Sequence, residues 1–238
     1  MNPGIDSTAF VTCTMGDAGS FASTPLGLSL AKIPDAKCKV FSDNRDGLSK
    51  CYNLGIEWAI ANGFKRLVFA HDDLWIVDAF LFEKLEKAFL LFDIVGVAGA
   101  ASFSISHGLD GPHKKIAWHI CAPREHWTGA VEHPHMDHKT GKPSKVMTYM
   151  SYFGPTPRLC ATIDGLFMAV NMETIGDVRF DENFKFDFYD LTFCCRANKA
   201  SLKVGTTNIH VMHESHGTGI MNQTYSDAQE LFLKLYRK

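Results

Sequence analysis

A doubly wound α/β fold built on a mostly parallel sheet is what this 238-residue sequence predicts. Two observations carry the expectation. Apolar runs of strand period alternate with runs of helical period through the first hundred residues, and a pair of acids follows directly on an apolar strand. Such alternation favours parallel strands, because each crossover helix must lie on a face of the sheet.

The elements follow in order. Ala9 to Met15 and Cys38 to Ser42 are short β-rich runs closed by Gly, Asp and Asn. From Leu48 to Ala61 the period changes: Leu48, Cys51, Tyr52, Gly55, Trp58 and Ala59 share one helical face, and Asn62-Gly63 stops it. Arg66 to Ala70 reads as a buried strand. Residues 78–92 read as an amphipathic helix with Glu83 and Lys87 four apart, and Ile94 to Ala101 as another apolar strand. From Ser102 to about Pro157 the pattern loosens. This long excursion holds seven of the eleven histidines, Trp118 and Trp127, and has room for one hairpin; loops of that length are usually functional or mobile. Order returns over 160–170, in a helix near 188–200 and a strand near 203–211. The end is a helix opened by Ser226, with Gln229 at capping-box spacing.

Composition limits the function classes. Hydrophobic residues at 46% and charged residues at 21% suit a compact domain, and a net charge of −2 gives no electrostatic footprint for nucleic acid. The seven cysteines form no CxxC and sit mostly in apolar runs, which predicts a reduced, cytoplasmic protein. No apolar run approaches the ~20 residues of a membrane span, which leaves only peripheral membrane contact open.

The sharpest chemical feature is His71-Asp72-Asp73, just past the strand RLVFA. Ligands of open α/β sheets gather at the carboxyl ends of strands. Carboxylates there suit Mg²⁺ or Mn²⁺ holding a diphosphate, although a helix cap would use the same residues. Asp190, near Asp187, opens a predicted helix; it could cap that helix or act as a general base. His210, His213 and His216 recur every third residue in HVMHESHGTG, where one could complete a metal site.

Four segments in order, SDNRDGLSKCYNLGIEWA, LVFAHDDLWI, IDGLFMAVN and FDENFKFDFYDLTFCCRANKASLKVG, with the tail HVMHESHGTG, resemble glycosyltransferase family 2. The likeness is to the branch with HDD in place of DxD. The resemblance implies a Rossmann-like GT-A fold in one domain over 1–238. Residues 1–105 would be its nucleotide-binding half and 106–238 its acceptor and catalytic half, with the long excursion on the acceptor side. It implies transfer with inversion from a nucleotide diphosphate sugar, by preference a UDP-sugar, to a saccharide or glycolipid hydroxyl, helped by Mn²⁺ or Mg²⁺. By position it assigns Thr12, Asp43, Asn53 and Asp72 to the nucleotide, and Asp73 and His213 to the metal. Asp164 and Gly165 fall to the donor sugar or acceptor, and Asp190 is the base; Trp118, in the excursion, is expected to face the acceptor because aromatic rings stack on sugar faces. The sequence departs from the family at His71, where an acid is usual, at Tyr189, often Glu, and at Thr192, often Asp. The departures leave room for a non-catalytic nucleotide-sugar-binding protein. A zinc metallohydrolase is the other alternative, since residues 133–138 spell HxHxDH. That motif, however, follows WTGAVE where the hydrolases have a buried strand, and its neighbourhood is Pro-rich and polar.

Overall fold

A computed structural model describes residues 4, 7–111, 114–136, 143–214 and 222–237. Seven strands form the larger sheet. In chain order they are β1 (Thr8–Cys13), β2 (Lys37–Phe41), β3 (Arg66–Ala70), β5 (Ile94–Gly96), β9 (Arg158–Leu159), β11 (Phe167–Asn171) and β12 (Val204–Thr206). Their spatial order is β2-β1-β3-β11-β5-β12-β9. β1 runs parallel to β2 and β3, and β5 parallel to β12, while β11 enters antiparallel between β3 and β5. The sheet is thus the mostly parallel, doubly wound sheet expected, with an antiparallel insertion at its centre.

Alternation along the strands divides the core between two faces. Ala9, Val11, Leu67 and Phe69 pack with helix α2 (Leu48–Ala61) and helix α5 (Tyr189–Lys199). Phe10, Val68 and Ala70 pack with α1 (Pro25–Leu30) and α3 (Leu81–Phe89). That second face also meets α6 (Gln223–Tyr236), through Phe232, and a smaller sheet. The smaller sheet contains β4 (Leu74–Ile76), β6 (Ala98–Ala100), β7 (Trp127–Met136), β10 (Thr162–Ile163) and β13 (Val211–His213), ordered β10-β6-β7-β13-β4. β8 (Pro143–Gly154) pairs with β7.

Several elements differ from the sequence reading. The single strand expected over 94–101 is two: β5 stays in the larger sheet and β6 joins the smaller, with Val97 between them. The strand expected near 203–211 divides likewise into β12 and β13. Apolar content alone does not reveal such a change of sheet. The excursion is largely built, from α4 (Ile105–Asp110) and the β7–β8 hairpin. Its strand period is hidden by Gly129, Pro134 and a run of polar residues on both faces. The last helix is capped not by Ser226 but by Asn222, which accepts from the Tyr225 amide at 2.9 Å. Ser226 instead bonds back to the Asn222 carbonyl, and Gln229 reaches across to the Ile116 amide. Asn is as good a cap as Ser, so local preference did not choose between them.

Helix α2 lies close on β1, since a Cβ built on Gly55 would stand 2.7 Å from Val11 Cγ1. Gly55→Ala is therefore expected to overpack this contact by about 1–3 kcal/mol, partly offset by Ala's better helix propensity. A lowered urea midpoint checks this; a midpoint at or above wild type would show that the helix has room to move off the strand.

Candidate active site

Two chain segments far apart in sequence are brought together by one strand pair. β3 ends at Ala70, the chain turns through His71-Asp72-Asp73, and β4 begins at Leu74. β13 pairs antiparallel with β4, and its register sets His213 opposite Leu74. The Glu214 amide donates to the Asp73 carbonyl at 3.0 Å and closes the turn. As a result His213 Nε2 lies 3.1 Å from Asp73 Oδ1, although 140 residues separate them. His71 Nδ1 lies 3.9 Å from the same oxygen.

One ligand atom from each of His71, Asp73 and His213 falls within 4.8 Å of the others. Two imidazoles and a carboxylate at that spacing fit a divalent ion. The electrostatics agree with a shared site. Burial would raise the Asp73 carboxyl, but the His213 bond and nearby His71 outweigh it and hold it below its ordinary value. Burial would lower His213, yet Asp73 raises it overall. His71 is pushed down, chiefly by burial, so its ring is neutral and able to ligate near neutral pH.

A second convergence stands beside the first. The N-terminus of α5 presents Tyr189 and Asp190 to the turn Asp164-Gly165 that precedes β11. Asp190 accepts from the Gly165 amide at 3.0 Å and from the Leu191 amide at 2.8 Å. Burial, and then the neighbouring Asp164, push its carboxyl up to about 7. Asp164 in turn accepts from the Trp118 indole at 2.7 Å and from the Leu166 amide at 3.0 Å.

Three adjoining chambers surround these groups. The first, of about 400 Å³, is lined by the post-β1 segment Cys13–Gly16, by Asn44 and Leu48, by His71–Asp73, and by Phe186. The second, about 230 Å³, shares His71 and Phe186 with it and contains Asp164, Asp187 and Asp190. The third, about 370 Å³, shares Trp118, His119 and Asp164 with the second and is walled by Trp127, Phe153, His133 and His213.

The residues singled out from sequence are not all in these chambers. Asp72, Asp73, Asp164, Asp190, His213 and Trp118 line them. Gly165 adjoins Asp190 through its amide. Thr12 is fully buried within β1, and its neighbours Cys13 and Thr14 line the chamber instead. Asp43 is exposed with a left-handed backbone, φ 52°, and the next residue, Asn44, is the one that lines the cleft. Asn44 was missed, although it is held firmly: its Oδ1 accepts from the Asp46 and Gly47 amides at 3.0 and 3.1 Å. Asn53 is committed elsewhere, clamping α2 to the Phe180 backbone and to Glu182. Trp118 is only 7% exposed, so it anchors Asp164 as well as walling two chambers. Of the HxHxDH segment, His133 and His135 lie on β7, whereas Asp137 and His138 lie outside the described residues. Among the described residues, the ligand cluster found is His71, Asp73 and His213, and His133 is not part of it. His216 also lies outside the described residues.

The model of a glycosyltransferase-like family matches residues 34–236. No curated protein matches the chain. Similar solved structures include A197 from STIV, at 9% identity and TM-score 0.48, covering 91% of this chain and 98% of that one. The inositol-1-phosphate CTP transferase from T. maritima aligns at 10% identity and TM-score 0.38, covering 95% and 77%. HddC from Yersinia pseudotuberculosis aligns at 13% identity and TM-score 0.38, covering 95% and 79%. No helix among the described residues is long and apolar enough to cross a membrane.

The raised Asp190 carboxyl has a stability consequence. Between the ordinary aspartate pKa of about 4 and its folded value of about 7, the folded chain keeps a proton that the unfolded chain has released. This group therefore lowers stability as pH rises through that window. Asp190→Asn is expected to flatten the decline in urea midpoint between pH 4 and 8; an unchanged slope would show that Asp190 ionises normally.

Proposed function

Because the chain belongs to a glycosyltransferase-like family, we propose that it transfers a sugar from a nucleoside diphosphate donor, by preference a UDP-sugar, to an acceptor hydroxyl. Transfer proceeds with inversion at the anomeric carbon, and the acceptor is a saccharide or glycolipid. One observation supports this most strongly. The first chamber is lined by Asp72 and Asp73, and among the described residues no Lys or Arg lines it. A diphosphate there would face two acids, while Arg45 beside the chamber is engaged by the Met15 and Asn44 carbonyls, so an ion held by the His71–Asp73–His213 cluster would offset the repulsion.

The roles follow from position. The nucleoside occupies the first chamber, between Thr14 and Asn44 at its polar end and Leu48 and Phe186 as apolar walls. Asp73 and His213, with His71, would hold Mn²⁺ or Mg²⁺, whose positive charge would offset the charge that develops on the departing diphosphate. The donor sugar then projects past His71 into the second chamber, toward Asp164 and Asp190. Asp190 takes the acceptor hydroxyl's proton as that oxygen attacks from the face opposite the leaving group. A carboxyl near 7 suits this work, because base strength is useful only while the group is still ionised at the working pH. The aromatic third chamber receives the acceptor, where ring faces stack on sugar and exclude water that would hydrolyse the donor.

A panel of nucleotide sugars screened by thermal shift with and without Mn²⁺ tests the reading, since a donor bound to the folded state raises its stability. A Mn²⁺-dependent shift confined to one nucleotide class is expected; no shift with any donor would overturn the proposal. Asp73→Asn should abolish that Mn²⁺-dependent binding with the fold intact. Asp190→Asn should keep donor binding yet cut kcat by about two to four orders of magnitude. In wild type, kcat/KM should rise with pH through about 7 and then level. Near wild-type turnover in Asp190→Asn would move the base elsewhere, with Asp187 tested next.

A further inference from the structure

The ion cluster is richer in imidazole than a site made for Mg²⁺ needs to be, and the second nitrogen of His71 shows how it is built. His71 and Tyr189 are two of the positions at which the sequence departs from the glycosyltransferase pattern, and in the folded chain they touch. His71 Nε2 lies 2.7 Å from the Tyr189 hydroxyl, while Nδ1 faces Asp73. Tyr189 is itself fixed. Its ring is 5% exposed and packs edge-on against Tyr52 at 5.9 Å. The hydroxyl reaches His71 over Gly165, where a Cβ would stand 2.0 Å from it. Burial raises the phenol well above its ordinary pKa, so it remains a neutral hydroxyl.

We propose that Tyr189 is the positioning residue for His71, accepting its Nε2–H so that the lone pair stays on Nδ1, and that the resulting pair of imidazoles with Asp73 takes Mn²⁺ or Co²⁺ in preference to Mg²⁺. This rests on the reading of the cluster as the donor's metal site. Three physical points support it. An imidazole ligates through a nitrogen that carries no proton, and the partner of its other nitrogen decides which one that is. Outer partners of this kind hold the ring's direction, and their loss typically weakens binding 10–100-fold. Imidazole also suits first-row transition ions, whereas Mg²⁺ favours oxygen and gives up its waters reluctantly. The two departures in sequence thus become one change: a ligand and the residue that orients it.

The test titrates the protein with Mn²⁺, Co²⁺ and Mg²⁺ alone by calorimetry, in wild type, Tyr189→Phe, His71→Ala and the double variant. Mn²⁺ and Co²⁺ should bind more tightly than Mg²⁺ to wild type, and Tyr189→Phe should weaken them about 10–100-fold. In the His71→Ala background, Tyr189→Phe should cost nothing further, because its effect passes through His71. Visible absorption of the Co²⁺ form should change in Tyr189→Phe. Unchanged affinity in Tyr189→Phe, an equal loss with and without His71, or Mg²⁺ bound as tightly as Mn²⁺ would each overturn the proposal. Wild type that binds none of the three ions removes the metal site and this inference together. Intact binding in both wild type and Tyr189→Phe removes the inference alone. Should Tyr189→Phe fail to fold, nitrogen NMR of wild-type His71 decides: the Nε2–H tautomer is expected, and the Nδ1–H tautomer overturns it.

Discussion

The pairing of β13 with β4 is the constraint on which the site depends. β4 follows the acid turn with no intervening residue, so its partner is placed next to whatever that turn carries. A slip of one residue in this register would send His213 to the opposite face, as in any strand pair. The pairing is reinforced at both ends. The Val77 amide donates to the His210 carbonyl, the His210 amide donates to Asp78, and the Trp75 indole bonds Glu214. The same strand also meets β7, which carries His133 to within ring contact of His213 at 6.2 Å between centroids. Backbone pairing, rather than attraction between the side chains, thus assembles the cluster. That is required if Asp73 and His213 are to stay in place while protons come and go.

The two-sheet plan serves the same end. The larger sheet delivers the segments after β1, β2 and β3 to one edge, as parallel strands do. The smaller sheet shares a core with it through Ala98, Val131 and Val211, and closes the far side of the cleft with the hairpin. The antiparallel β11 brings Asp164-Gly165 to the same edge, because it begins where β3 ends: Phe167 pairs with Ala70. A parallel strand at this place would have entered from the opposite end of the sheet and left the Asp190 carboxylate without its Gly165 partner.

Much of this could be read in the residues, and the failures have identifiable causes. The helix over 48–61 and the strand over 66–70 matched residue for residue, because both have a clear period and clear stop signals. Asp73 and His213 could be paired only by resemblance, since nothing local links residues so far apart. Asp43 came from the resemblance by position, whereas the cleft is lined by the next residue, Asn44. The left-handed turn at Asp43, which turns its neighbour inward, leaves no signature in composition. Asn53 was likewise assigned to the nucleotide by the resemblance alone. Its amide satisfies the Phe180 backbone instead, a long-range bond that no periodicity reports. The hairpin expected in the excursion is present, but its strand bounds were not legible, because its strands carry polar and aromatic residues on both faces, and Met147, Met150 and Tyr152 are exposed.

That hairpin is attached unevenly. β7 is paired with β6 and β13 as well as with β8, whereas β8 among the described residues pairs with β7 alone. A change in β8 therefore breaks no pairing that holds His213 or Asp73 in place. The exposed β8 positions Met147, Met150 and Tyr152 can be exchanged at small cost to the fold, while Phe153 and Tyr149 reach the chamber wall and His133. The molecule thus separates what must be kept from what can drift. On the proposed function, substrate range could be rewritten on one outer strand over generations, with the His71–Asp73–His213 cluster inherited unaltered beneath it.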